Sequence, residues 1–140
     1  MKVGVIAKRP PITASPGISI REAAAIMANR RIGLLVLVEG GELFGVVSER
    51  DIVRAVARGV SPERPVALIA TRDVIKIEAD ADVAEAARLM ASRGVRHLVV
   101  TKNGELYGVI SIRDIVDEAL RLKEAVERSE AEEAAVPPAD

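Results

Sequence analysis

Along this chain the spacing of apolar positions switches between two periods, and the same succession of periods is written twice. Between Val83 and Arg93 the apolar positions Val83, Ala86, Ala87, Met90 and Ala91 follow helical spacing, and the run lies between Asp80-Ala-Asp82 and Gly94. The aspartates supply an N-cap and the glycine a stop. His97-Leu-Val-Val-Thr101 reads as a strand, and Leu106-Tyr-Gly-Val-Ile110 as its hairpin partner across Lys102-Asn-Gly104. Helical spacing then returns at Ile115, Ala119, Leu122 and Val126, while Val74-Ile-Lys-Ile77 ahead of the unit is a short extended segment. The predicted unit is β-α-β-β-α. The first half repeats it: a helix from about Ile20 to Arg30, strands at Leu34 to Val38 and Leu43 to Val47 around Glu39-Gly-Gly41, and a helix from Glu49 to Ala57. Gly59, Pro62 and Pro65 mark a linker. The last helix runs into Glu130-Ala-Glu-Glu133 and is expected to end at Pro137-Pro138 in a solvated tail.

The duplication is explicit in the residues. Gly45-Val-Val-Ser-Glu-Arg-Asp51 returns as Gly108-Val-Ile-Ser-Ile-Arg-Asp114, 63 residues later, without a gap. The same offset carries Glu22, Ala23, Ala24, Met27 and Arg30 onto Glu85, Ala86, Ala87, Met90 and Arg93. The expected units are residues 1–62 and 63–124, with 125–140 as helix end and tail. A unit of about 60 residues buries only ~60% of its unfolded surface and is marginal alone. Two such units are therefore expected to fold as one body with internal pseudo-symmetry.

Composition narrows the function classes. A net charge of −1 with acidic and basic residues interleaved gives no basic field for nucleic acid, and one Phe, one Tyr and no Trp leave no stacking platform. With no cysteine and a single histidine, zinc or disulfide chemistry has little material. No window resembles a signal peptide or a membrane span, so a cytoplasmic location is expected. The absence of Gln and Cys, Asn only at 29 and 103, and 29% charged residues is the composition associated with thermophiles.

The repeated heptapeptide admits two readings. Ser-x-x-Asp at a helix start resembles a capping box, with Ser48 or Ser111 accepting from an amide and Asp51 or Asp114 complementing the helix dipole. The same geometry suits a ligand: a helix start beyond a strand's carboxyl end offers free amides to an anion, and a carboxylate there accepts two hydrogen bonds from a ribose diol. Neither excludes the other. Ser111, His97 and Asp114 also supply the letters of a hydrolytic triad, but nothing marks an oxyanion hole and no P-loop or paired-metal motif appears, so no enzyme is expected.

The repeat as a whole, Gly-hydrophobic-hydrophobic-Ser-x-Arg-Asp at the start of its last helix with Gly94-Val-Arg-His-Leu-Val-Val100 before it, resembles a CBS domain. Two in tandem resemble a CBS pair, or Bateman module, over residues 5 to about 122. The resemblance implies an α/β (α+β) fold of two β-α-β-β-α repeats packed through their sheets about a pseudo-twofold axis, with two clefts for adenosine-containing ligands. It further implies ribose and phosphate contacts from Ser48 and Asp51 in one cleft and from Ser111 and Asp114 in the other. Arg50 and Arg113 are candidate phosphate partners or solvated helix-start cations. Base contacts would come from Thr71 through Ile75, with Val74 and Ile75 among them, and from Lys8 through Ile12. Pro10 and Pro11 lack the amides that Asp73 and Val74 keep, and Arg96-His97 stand where the first copy has Gly33-Leu34. Strand alternation makes it improbable that Arg96 and His97 serve one phosphate. These mismatches lead to the expectation of unequal clefts, with the one built on Asp114 binding nucleotide better.

The function implied is a regulatory sensor of AMP, ADP, ATP or S-adenosylmethionine, with no cofactor required. It would act as a homodimer on a separate, unknown target protein, since no fused catalytic or channel domain is seen. The alternative is a ligand-independent dimerising scaffold, for which the stripe Ile115, Ala119, Leu122, Val126 would be the docking face.

Overall fold

The computed structural model describes residues 1–136. Its order is α1 (Val3–Ile6), β1 (Thr13–Ala14), α2 (Ile20–Arg30), β2 (Leu34–Glu39), β3 (Glu42–Ser48) and α3 (Glu49–Ala57). After a 3-10 turn at Val66–Leu68 come β4 (Lys76–Glu78), α4 (Val83–Arg93), β5 (His97–Lys102), β6 (Glu105–Ser111) and α5 (Ile112–Ala135). Both β-α-β-β-α units predicted from the spacing are present. The expected end at Pro137-Pro138 and the tail lie outside the described residues.

Local chemistry accounts for the boundaries. Ser19 and Asp82 cap α2 and α4, accepting from the Glu22 and Ala84 amides at 3.0 Å each. Gly94 closes α4 in the left-handed region at φ 65°, whereas α2 ends on Arg31 at φ 54°. Each hairpin turns on two residues of positive φ, Gly40-Gly41 and Asn103-Gly104, the twist that matches paired strands.

Each half holds a three-stranded sheet, ordered β1-β2-β3 and β4-β5-β6, with the first pair parallel and the second antiparallel. Alternation along the middle strands sorts two faces. Leu35 and Leu37 join Ile20, Ala23, Met27 and Ala55 in a core under the helices, and Leu98 and Val100 do the same with Ala86 and Met90. Val36, Val46 and Val99 point the other way into a third cluster, which packs sheet against sheet across the pseudo-twofold axis.

The packed halves do not coincide with the halves of the chain. Val3 of α1 is fully buried in the second copy's core, where the Val3 and Gly4 amides donate to Ala81 and Ala79. Val66 and Ile69 of the linker are buried in the first copy's core, with the Val66 amide donating to Ile18 at 2.7 Å. Burial of one such valine stabilises by about 1.5–3 kcal/mol. The exchange continues at the sheet edges, where Lys8 bridges to Val109 on β6 and Thr71 to Val46 on β3. Each copy thus lends its leading segment to the other.

Candidate functional site

The strand-to-helix junctions show the bland reading fulfilled in both copies. The Asp51 amide donates to Ser48 Oγ at 3.1 Å and the Ser48 amide to Asp51 Oδ2 at 2.9 Å. Ser111 and Asp114 repeat this at 3.1 and 2.8 Å. These are full capping boxes, and each leaves the aspartate acceptor sites to spare.

One junction opens on a cavity of about 380 Å³, within the range of small-ligand pockets. Leu34, Val46, Val74, Ile75 and Val99 are among its apolar lining, and Ser48, Arg50 and Asp51 line it as well. Thr71, Asp73, Arg96 and His97 enter from the second copy. Of the residues predicted for ligand contact, Ser48, Arg50, Asp51, Thr71, Val74, Ile75, Arg96 and His97 are therefore brought together. Ser111, Arg113 and Asp114 do not line this cavity.

The expected grouping requires a correction here. The expectation of a better cleft at Asp114 places the proline-free leading segment and the Arg96-His97 pair there, but both border the cavity of Asp51. Crossed leading segments are the physical reason: Thr71 forms its bridge with Val46, on the strand that runs into Ser48. Its hydroxyl donates to Asp51 Oδ2 at 3.2 Å. Arg96 and His97 also both face the cavity, because β5 starts only at His97 and strand alternation does not bind Arg96.

The Asp114 junction is furnished differently. Lys8, the equivalent of Thr71, places its ammonium 3.8 Å from Asp114 Oδ1. Pro10 and Pro11 follow where Asp73 and Val74 stand in the other cleft. The amides of Asp73 and Val74 have no backbone partner among the described residues and remain available to a ligand. Prolines have no such amide.

His97 stands against Gly33, whose missing side chain makes the room: a Cβ there would lie 2.8 Å from His97 Cε1. Burial holds the His97 imidazole below the ordinary histidine range, while Glu49 and Asp114 draw it back up and Arg96 presses it further down. It is neutral near pH 7 and can accept or donate one hydrogen bond without adding charge. Arg50 spans the copies, donating to the Gly94 carbonyl at 3.4 Å. Glu49 and Val53 also border the cavity and are not among the contacts expected from the residues alone. The signal available for Glu49 was its place inside the repeated motif.

Comparison with known proteins fits this geometry. The family model described as CBS domain matches residues 3–58 and again 66–121. The chain belongs to the CBS-domain family. This CBS pair is 38% identical over 116 residues to a 17.7 kDa protein of Acidianus ambivalens, spanning 81% of the chain and 70% of that protein. It is 38% identical to protein MK0525 of Methanopyrus kandleri over 83% of the chain but only 61% of that longer relative. Among solved structures, the CBS domain protein PAE2072 of Pyrobaculum aerophilum, complexed with AMP, is 40% identical with a TM-score of 0.76, over 81% of this chain and 89% of that one. The CBS pair of protein MJ0100, complexed with 5′-methylthioadenosine and S-adenosyl-L-methionine, is 31% identical with a TM-score of 0.78, over 84% and 94%. No helix among the described residues is long and apolar enough to cross a membrane.

Proposed function

We propose that this CBS pair is a regulatory module that takes one adenosine-containing ligand per chain in the cavity of Asp51 and transmits its occupancy to a separate protein. The observation that carries this reading is the convergence of three recognition elements on one cavity: a capped carboxylate with acceptor capacity left, free amides at Asp73 and Val74, and apolar walls. Asp51 would take the ribose diol, with the Thr71 hydroxyl giving way. The free amides would read the base between Val74, Ile75 and Val99. AMP, 5′-methylthioadenosine and S-adenosylmethionine in the two related structures support the ligand class. Regulation rather than catalysis, and a cytoplasmic setting, belong to the same proposal.

Homodimerisation is part of it. Val53 and Val56 on α3, and Val116 and Leu120 on α5, are between 53% and 67% exposed and form two matching apolar faces on the outer helices. Those faces also favour the second reading, a scaffold that docks through its helices without a ligand. Thermal melting with AMP, ADP, ATP and S-adenosylmethionine separates the two. A ligand at 100 times its dissociation constant adds about 2.7 kcal/mol, and the regulatory reading expects that shift from at least one compound. No shift from any of them would leave the scaffold standing.

A further inference from the structure

The cavity of Asp51 carries two carboxylates that the rest of the site does not account for. Its charged lining consists of Glu49, Asp51 and Asp73 against Arg50 and Arg96, and His97 is held neutral by burial. Asp51 is committed to the junction and the ribose. Arg50 and Arg96 together balance the two charges of one phosphate monoester. Glu49 and Asp73 then have no cation of the lining left to face.

Both surplus carboxylates are peculiar to this cleft. The internal repeat places Ile112 where Glu49 stands and Pro10 where Asp73 stands. Glu49, the neighbour of Arg50, bears on the ligand's charged end. Glu49 is the first residue of α3, at the helix N-terminus where an anion would otherwise be favoured, and its carboxyl carbon lies 3.7 Å from the point where a Gly33 Cβ would sit. The His97 ring closes on that same point from the second copy. Asp73 lies within the segment whose free amides are assigned to the base, so Glu49 is the surplus carboxylate at the charged end.

We infer that Glu49 is a specificity determinant that restricts this cavity to adenosine ligands with a single phosphate, rejecting the di- and triphosphate. The inference rests on the nucleotide reading above and adds the phosphate count. Each further phosphate brings negative charge toward a carboxylate that has no partner, and like charges brought together in solvent-exposed surroundings change affinity by several-fold to about tenfold.

Titration calorimetry with AMP, ADP and ATP in magnesium-free buffer tests this on the intact chain. The expected order is AMP tightest, with about a tenfold loss for each added phosphate. In a Glu49→Gln variant the AMP-to-ATP ratio falls to about threefold or less, while AMP itself binds no more weakly. The Glu49 side chain is exposed, and the ladder of ligands on the unmodified chain is informative without the variant. ATP binding as tightly as AMP to the unmodified chain overturns the inference, and so does an unchanged ratio in the variant. If none of the three binds, nor S-adenosylmethionine, the nucleotide reading itself fails, a result distinct from binding that ignores phosphate number. Raising the salt from 0.05 to 0.5 M should compress the ratio in the unmodified chain, since screening weakens exposed charge pairs.

Discussion

The two clefts of this CBS pair start from one motif and end as different sites. Their capping boxes agree to 0.1 Å: amide-to-aspartate distances are 2.9 and 2.8 Å, and amide-to-serine distances are 3.1 Å in both. What differs arrives from the other copy. Asp51 receives a threonine hydroxyl and a segment with free amides, while Asp114 receives a lysine ammonium and two prolines. The heptapeptide builds the helix start, and the leading segment from the other copy sets what surrounds it.

The largest expected effect follows directly. Asp51→Ala should weaken AMP binding at least about 100-fold, because two hydrogen bonds to a charged group at about 1.5–3 kcal/mol each are lost and 1.4 kcal/mol is a factor of ten. Asp114→Ala should leave affinity within about threefold. Each variant also loses the N3 half of its capping box, worth about 1 kcal/mol, so the unliganded melting points should fall together. That shared loss is the internal control. Equal affinity losses in calorimetry would show the clefts to be equivalent after all.

Next in size is the backbone contact that makes each crossover possible. A Cβ on Gly45 would sit 2.7 Å from the Thr71 carbonyl oxygen, and one on Gly108 would sit closer still to that of Lys8. Neither neighbour is a flexible side-chain end. Gly45→Ala and Gly108→Ala should each cost about 2 kcal/mol in denaturant unfolding, the scale of overpacking a tight site, with Gly108→Ala at least as damaging. A Gly108→Ala variant as stable as the parent would mean that Lys8 is not held on β6.

A third test uses the sole histidine. Burial lowers the His97 pKa in the folded state, so the unfolded chain takes up the proton first as pH falls. The His97 contribution should be constant above about pH 6.5, the ordinary value, and decline as pH falls from there through the lowered folded pKa. His97→Leu, which copies the Leu34 of the first repeat, should flatten that decline. The imidazole resonance, followed by NMR, should titrate below the ordinary range in the free protein. Titration at or above it would place His97 outside the dry part of the cavity.

Much of this was legible in the chain. Apolar spacing located all four long helices and the two hairpins, because burial on one face imposes its period whatever the partner. Asn103-Gly104 and Gly40-Gly41 announced their turns, since few other residues adopt positive φ cheaply. The partner itself was not legible, for the same reason that the period was. Periodicity reports which side is buried and is silent on what covers it, so it does not tell that Thr71–Ile75 and Arg96-His97 border the cleft of the other copy's motif. The crossover did leave a trace. Val3-Gly-Val-Ile6 and Val66-Ala-Leu-Ile69 stand in the same 63-residue register as the motif, although Pro62 and Pro65 give the latter stretch the character of a linker. Two apolar tetrapeptides in register, each ahead of the first predicted helix of its unit, are segments in search of a core.

The smallest expected effect concerns how firmly each lent segment is held. Arg72 lies 3.6 Å above the Phe44 ring centroid and donates through Nε to the Phe44 carbonyl at 2.6 Å. Its repeat equivalent, Arg9, lies 4.8 Å above the ring of Tyr107, which Lys102 also approaches at 5.7 Å. An exposed cation over an aromatic face contributes about 0.5–1 kcal/mol, and a charge-assisted hydrogen bond adds to it. Arg72→Ala should therefore cost about 1–1.5 kcal/mol and Arg9→Ala about 0.5 kcal/mol in chemical denaturation. Because Arg72 directly precedes the free amides of Asp73 and Val74, its loss should also weaken AMP binding by about threefold, through a less ordered segment, where Arg9→Ala changes nothing. A ligand at the cleft of Asp114 would reverse that dependence, for there Arg9 adjoins the segment that would have to bind.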